Sequence, residues 1–392
     1  MWGCGGVWLL MFLEFAWNAW EKRKFKNLVV RVNKTSDNST IPSVEFEDII
    51  SKQGRLNKDV RLKVNSKQGI YFEPQDVLFG KLRPYLQNWL FPSFYGRAVG
   101  DFWVLRANSS LLSEYLFVLI QSPRFQSVAN ISSGTKMPRS DWNTVSNTSF
   151  SIPVQSEQRR IEQLFNVLDD LIAATQHKID ALEQAKKVLL QRLFDQSWRF
   201  KDYSDPWEKR KLGEVADIVG GGTPSTSRPE YWNGEIDWYA PAEIGTQRYV
   251  YKSRRQITEL GLEKSSAVML PANKTILFTS RAGIGNAAIL TSPATTNQGF
   301  QSMIVNSNTD TYFLYSKISD IKHKAIRVAA GSTFLEISGK SLSKIPIKLP
   351  IFEEQVKIGR LFLKIDNLIA ATQSRLSSLE LLKKFLLQNL FI

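Results

Sequence analysis

The chain has 392 residues, with 51 Lys and Arg against 37 Asp and Glu, so its net charge is +14. At 43% hydrophobic and 22% charged it is neither a disordered chain nor a membrane bundle, and it is long enough for two domains with cores of their own. The basic excess points to a polyanionic partner, while one cysteine, Cys4, excludes an intramolecular disulfide framework and a cysteine zinc cluster, and two histidines leave little for histidine catalysis.

Residues 1–19 are apolar and tryptophan-rich, but Glu14 interrupts them, no basic stretch precedes them and no small-residue cleavage site is evident. They read as an atypical apolar extension packed on the body, or as the product of a misplaced start, rather than as an anchor. No other run approaches the ~18 apolar residues of a membrane helix. Residues 20–150 then form a first globular segment. Strands are expected at Val77–Phe79 and Asp101–Leu105, and a helix over Glu114–Gln121. Residues 151–198 read as a long helix that opens just after Pro153, with Glu157 in its first turn. A second globular segment follows over 199–346. It has strand patterns at Glu235–Ala240, Thr275–Phe278 and Asn286–Leu290 and a helical pattern over Thr311–Ile321. Residues 347–392 are helical again, behind Pro350. Both globular segments read as mixed α/β.

The chain repeats itself. Ile152–Phe194 recurs 197 residues later as Leu349–Phe391, including the unbroken string LIAATQ at Leu171–Gln176 and Leu368–Gln373. WEKRK opens each half, at Trp20–Lys24 and Trp207–Lys211. Two copies are too few for a solenoid and fit a duplication with pseudo-two-fold symmetry. Within the helical copies, Ile161, Leu168, Thr175, Leu182 and Leu189 are spaced by seven, as are Ile358, Ile365, Thr372, Leu379 and Leu386. Leu164, Leu171, Phe165, Ile172, Ile179 and Leu193 widen the first stripe, and Leu361, Leu368, Phe362, Ile369, Leu376 and Leu390 the second; within them the expected helix-pair interface is Ile161, Leu164, Leu168, Leu171, Leu182 and Leu189 against Ile358, Leu361, Ile365, Leu368, Leu379 and Leu386.

Charge places the polyanion on the globular segments: 20–150 carries +8 and 207–346 carries +5, while 151–206 carries −1. Reading base edges needs Arg or Lys for guanine and Asn or Gln for adenine, and phosphates take Lys, Arg and hydroxyls. Near turn signals, the candidates in the first domain are Lys81, Arg83, Tyr85, Arg97, Lys136 and Arg139. Those in the second are Thr223, Ser225, Thr226, Arg228, Arg281, Asn297, Gln298 and Lys340. Pro84, Pro138 and Gly220–Gly222 shape loops, and Trp20 and Trp207 are packing residues. Enzyme signatures fail. Gly283–Ala288 fits a dinucleotide fingerprint only loosely and reads as a glycine turn; Gly339-Lys340-Ser341 lacks its P-loop glycine, Phe334 standing there. No HExxH, GxSxG or Asn-Pro-Pro-aromatic box occurs. These absences favour a binding subunit over an enzyme and suggest neither a catalytic residue nor a metal site on this chain.

Four motifs resemble the specificity subunit of type I restriction-modification enzymes. WEKRKLGEVADIVGGGTPSTSRPEYWNGEIDWYAPAEI (Trp207–Ile244) looks like the start of a target recognition domain, FEPQDVLFGKLRPYL (Phe72–Leu86) like the middle of one and SGTKMPRSDW (Ser133–Trp142) like its close. The repeated IP…EQ…LI…KK.LLQ segments look like the helical regions shared by family members. The resemblance implies an α+β chain of two mixed α/β target recognition domains joined by two long antiparallel, coiled-coil-like helices. It also implies double-stranded DNA as ligand, a bipartite site, two methyltransferase subunits and optional motor-nuclease subunits. S-adenosylmethionine, ATP and Mg would sit on those partners and no cofactor on this chain, in the cytoplasm and away from any membrane. The first domain has NKTSDNST (Asn33–Thr40) where the second has GGGTPS, and the second has Thr279-Ser280-Arg281 and Gly331-Ser332-Thr333 where the first has KLRPY and GTKMPR. The two domains are therefore expected to read different half-sites. Two rival readings are a nucleic-acid binder without sequence choice and a coiled-coil scaffold whose charge is incidental.

Overall fold

A computed structural model describes residues 20–63, 66–131, 136–330 and 335–391. The apolar extension over 1–19, and the segments 132–135 and 331–334 within two of the family-like strings, lie outside the described residues. The chain divides into two compact units, Met1–His177 with Ser374–Ile392, and Lys178–Gln373.

In the first unit, Val29–Val32, Phe102–Ala107, Val77–Gly80 and Trp89–Leu90 pair in that order as an antiparallel sheet. The run Phe102-Trp103-Val104-Leu105 is apolar throughout because both faces of this sheet are covered. Side chains alternate across a strand. Val77, Phe79, Trp103 and Leu105 therefore meet the helices Ser113–Gln121 and Pro123–Ala129 through Tyr115, Leu116, Leu119 and Phe125. Leu78, Phe102 and Val104 face the opposite way, onto Val44, Phe72 and Ala98 of a second four-stranded sheet. Glu21–Lys24, the strand inside WEKRK, pairs antiparallel with Ser149–Ile152.

The second unit follows the same plan with a wider sheet. Its five strands run in the order Ala216–Gly220, Gln301–Val305, Thr275–Phe278, Ala287–Leu290 and Tyr249–Val250. Ile276, Phe278, Ile289 and Met303 face Phe313, Leu314 and Ile321 of the helices Thr311–Ser316 and Ile318–Val328. Leu277, Ala288 and Leu290 face Tyr239 and Phe300. The expected helix over Thr311–Ile321 is thus two helices that break at Lys317 (φ −89°, ψ 1°). Gly283 (φ +103°) and Gly285 (φ +84°) form the turn between two antiparallel strands, which is what the glycine spacing encodes there. Glu208–Lys211, the second copy of EKRK, pairs with Pro346–Leu349.

Two helices, Gln155–Phe194 and Phe352–Leu390, each contribute a stretch to both units. In the first unit Ile161 and Phe165 pack with Leu386, Leu387, Leu390 and Phe391, and Asp169 pairs with Lys383 at 2.7 Å. In the second unit Leu189, Leu193 and Phe194 pack with Ile358, Phe362 and Ile365, and Lys186 pairs with Asp366 at 2.7 Å. Asp169 and Asp366 stand 197 residues apart, as do Lys186 and Lys383, so the two ion pairs are one pair written twice. In the second unit the Tyr312 hydroxyl also donates to Asp366 (2.7 Å) and accepts from Arg248 (3.1 Å). Burial pushes that hydroxyl well above its usual pKa; Arg248 opposes the shift and Asp366 adds to it.

The covered seam is narrower than the sequence suggested. It steps by three, four or seven through Ile161, Phe165, Leu168, Thr175 and Ile179, and through Ile358, Phe362, Ile369 and Thr372. Leu171 and Leu368, expected in the interface, are 39% and 44% exposed. They lie one step beside the seam, at an angle where the partner helix supplies no cover. Leu164, Leu182, Leu361 and Leu379 are half-buried flanks. Thr175 and Thr372 keep their places on the seam because each hydroxyl bonds back to the carbonyl four residues earlier, on Leu171 and on Leu368.

Candidate nucleic-acid interface

In the first unit the chain leaves strand Val77–Gly80 into a loop built around Pro84–Leu86, a short 3-10 turn. Arg83 (φ +47°) and Gln87 (φ +57°) flank that turn in the left-handed region. The Arg83 N–H donates to Pro138 O and the Ser140 N–H to Lys81 O, each at 2.8 Å, which ties this loop to residues 136–140. Asp101 lies between the loops. It accepts from Arg139 at 3.0 Å and holds the Lys81 ammonium at 3.5 Å. Lys81, Arg83, Tyr85, Lys136 and Arg139 therefore share one loop cluster. Tyr85 is 55% exposed, and Arg83, Lys136 and Arg139 are exposed. Neighbouring Met137 is exposed as well, an apolar group suited to a thymine methyl.

Arg97 is the correction. It is 0% exposed, in the short strand Gly96–Ala98, and its guanidinium donates to Lys67 O at 2.6 Å. A buried arginine bonded to backbone is a structural strut and reaches no base. Its strand is flanked by turn signals, and nothing local reveals the carbonyl from residue 67 that receives it. The two kinds of arginine should separate by measurement. Arg97→Ala should cost about 2–4 kcal/mol, because it opens a cavity where a fully buried side chain stood and strips the Lys67 carbonyl of its donor. Arg83→Ala should leave the melting temperature unchanged and reduce the slope of log K against log salt by about 0.9, one phosphate contact. Equal stability losses in the two variants would erase the distinction.

In the second unit the loop after Ala216–Gly220 carries Thr223, Ser225, Thr226 and Arg228, all exposed. The Gly222 N–H donates to Thr296 O at 2.9 Å, and Thr223 Oγ1 donates to Gln298 Oε1 at 2.5 Å. Two indoles support the loop from below: Trp238 Nε1 donates to Gly222 O (2.8 Å) and Trp232 Nε1 to Ser225 O (3.1 Å). Arg281 packs against Gly299, and Asn297 Oδ1 accepts from the Gly299 N–H at 2.8 Å. Asn297 is thus half-committed to its own turn, whereas Gln298 stands exposed beside Thr223. Lys340 is exposed on the helix Gly339–Ser343, whose first residue abuts Gln301 at the Gly220 end of the sheet. The sequence-derived candidates of this unit therefore gather around one end of the sheet.

Sequence reasoning missed Arg255. Its guanidinium lies 3.6 Å from the centroid of the Trp232 ring that props the Ser225 loop, and it is exposed. A guanidinium held over an indole is pre-positioned for phosphate or a base edge. The only signal was the Arg254-Arg255 pair near the aromatic Tyr249 and Tyr251. Among the described residues no group of acidic, histidine or cysteine side chains is arranged to hold a metal, and no helix is long and apolar enough to cross a membrane.

Residues 204–381 match the family model described as the type I restriction modification DNA specificity domain. The MjaIX specificity subunit of Methanocaldococcus jannaschii is 37% identical over 190 residues, covering 47% of this chain and 44% of that one. The EcoR124I/EcoR124II specificity subunit of Escherichia coli is 31% identical over 225 residues, 56% and 53% of the two chains. The chain thus spans about half the length of these two relatives. The HindI specificity subunit of Haemophilus influenzae is 21% identical over 436 residues, covering 88% of this chain and 94% of that one. Among solved structures, the type I restriction-modification S subunit from M. genitalium is similar in fold with a TM-score of 0.62 at 16% identity, covering 97% of this chain and 98% of that one. A chain described in the complex assembly and conformational transition of a type I R-M system gives 0.58 at 21% identity, covering 94% and 96%.

Proposed function

We propose that the chain belongs to the family of type I restriction-modification specificity subunits, whose DNA specificity domain residues 204–381 match, and that it reads a bipartite double-stranded DNA site, one half with each unit's loop cluster. The observation that carries this reading is the recurrence of one design in two chemistries. Each unit sets exposed cations and hydrogen-bonding side chains on loops leaving a sheet that is buried on both faces. The first unit offers Lys81, Arg83, Tyr85, Lys136 and Arg139; the second offers Thr223, Ser225, Arg228, Gln298 and Arg255. A rigid sheet positions such side chains better than a free loop does. Different donor and acceptor sets read different bases.

In this reading the recognition domains are residues 20–150 and 199–346, and the helical segments 151–198 and 347–392 form an antiparallel, pseudo-two-fold scaffold between them. The duplicated Asp169–Lys383 and Asp366–Lys186 pairs support that symmetry, since a two-fold interface repeats each contact with its roles exchanged. Two methyltransferase subunits and motor-nuclease subunits are the proposed partners. Exposed apolar residues on the helices, among them Leu171, Leu368, Leu381 and Phe385, offer them surface. The chain is read as non-catalytic and cytoplasmic, with S-adenosylmethionine, ATP and Mg on those partners.

The test is exchange of residues 20–150 for the corresponding domain of another family member, followed by genome-wide mapping of methylated adenine. One half of the methylated motif should change and the other should stay. A change in both halves would show that the two units do not read independently. Binding to random DNA as tight as to the mapped site would return the reading to a non-specific binder.

A further inference from the structure

The second unit contains a cavity of about 910 Å³ that none of the DNA-facing candidates lines. Its walls are the end of the helix Gln155–Phe194, the helix Ile318–Val328, part of Phe352–Leu390, and the paired strands Glu208–Lys211 and Pro346–Leu349. Six lysines line it: Lys186, Lys187, Lys209, Lys317, Lys324 and Lys348. Two of them are already neutralised, Lys186 by Asp366 and Lys324 by Asp320. The remaining acidic residues on the wall are Glu183 and Asp195, against four lysines without an ion pair among the described residues.

Lys317 is the unusual one. It is 4% exposed, and its ammonium sits 3.9 Å from the Phe194 ring centroid and 5.2 Å from that of Trp207, with no carboxylate in salt-bridge reach among the described residues. Burial holds its pKa down to about 8; Asp320 opposes that shift, and Lys324 and Lys348 add to it.

The first unit provides an internal control. There Phe391 packs at an angle against Trp20 and Tyr115, as Phe194 does against Trp207 and Phe313. Gln158 accepts from the Leu112 N–H, and Gln355, its repeat, accepts from the Asp310 N–H. That register aligns Lys317 with Leu119, which is 1% exposed. A leucine therefore satisfies the packing at this place. A lysine there carries a desolvation cost that the Phe194, Trp207 and Phe313 rings around its ammonium offset only in part.

We propose that this cavity binds a small polyphosphate anion, with Lys317 as its buried contact and Lys187, Lys209 and Lys348 around it. Compact ammonium groups serve phosphate as point charges, several are needed for a multiply charged chain, and the volume falls within the range of small-ligand sites.

The test is calorimetric titration of the full chain with inorganic tripolyphosphate at physiological salt. Saturable binding is expected, weakened at least tenfold in Lys317→Leu. That variant should melt no lower than the parent, because Leu119 fills the same place in the other unit. A nucleoside triphosphate that binds equally would identify the phosphate chain as the whole ligand; tighter binding would add the nucleoside, and both outcomes support the site. No saturable heat, or unchanged affinity in Lys317→Leu, would overturn the proposal. So would loss of tripolyphosphate binding in Arg83→Ala or Lys340→Ala, which would place the anion on the DNA surface. Binding of an acidic peptide but not of tripolyphosphate would also overturn it, in favour of a protein partner.

Discussion

Phe362→Asp should unfold the second unit, while Leu368→Asp, six residues along the same helix, should leave it standing. Phe362 is fully buried, its ring 6.2 Å from that of Phe194, in the cluster that also holds Ile358, Trp207 and Phe313. Removing a buried aromatic ring costs about 3–5 kcal/mol, and placing an unpaired carboxylate there adds several more. The sum is comparable to the whole stability of an ordinary domain, ~5–15 kcal/mol. Leu368 is 44% exposed, so a carboxylate at that position stays in water and should cost less than about 1 kcal/mol. Denaturant unfolding of the two variants reads the difference directly. If Leu368→Asp unfolds the protein as Phe362→Asp does, the seam does not run where the burial places it. The same pair separates fold from assembly: a folded Leu368→Asp chain that no longer co-purifies with the methyltransferase would locate that partner on the outer face of the helices.

The pair also shows what the sequence could and could not reveal. A seven-residue repeat of apolar side chains identifies the helices, their length and their duplication, and it finds Ile161, Leu168, Ile358 and Ile365. It cannot distinguish Leu368 from Ile369, since both are apolar and lie about 100° apart around the helix. Which one is covered depends on the register of the partner helix. The run Phe102–Leu105 was legible for the opposite reason: four apolar residues in succession demand cover on both faces, whatever provides it. Arg97 and Lys317 were misread or passed over because a charged residue reads as exposed. What buries each of them, the Lys67 carbonyl in one case and the Phe194 ring in the other, arrives from a distant part of the chain. The loop clusters were legible through their glycines, prolines and hydroxyls, whereas the Asp101 clamp and the Trp232–Arg255 stack needed three-dimensional proximity.

Gly221→Ala should damage both the fold of the second unit and its grip on DNA, while Gly220→Ala should affect neither. The triplet Gly220-Gly221-Gly222 looks uniform in sequence, but its members meet different surroundings. A Cβ at 221 would overlap the carbonyl oxygens of Thr296 and Asn297, and one at 222 would overlap the backbone of Ser266 and Ala267. A Cβ at 220 would find only the end of the Gln301 side chain, at 3.8 Å. None of the three has a left-handed φ, so the requirement is close approach and not conformational freedom. Backbone cannot rotate out of the way as a side chain can, so Gly221→Ala must push apart the segments that hold Thr223 and Gln298 together. Overpacking of this kind costs about 1–3 kcal/mol, occasionally more. The displaced loop carries Thr223, Ser225 and Arg228, so affinity for the half-site read by this unit should fall by at least tenfold, about 1.4 kcal/mol. Gly220→Ala removes backbone freedom from the unfolded chain without a clash, which should be neutral or stabilise by up to about 1 kcal/mol. Melting curves and DNA titrations of the two variants decide the matter. If Gly221→Ala melts and binds as the parent does, the loop is not held against residues 296–298, and the hydroxyls of Thr223 and Ser225 lose their claim to a fixed place in the reading surface.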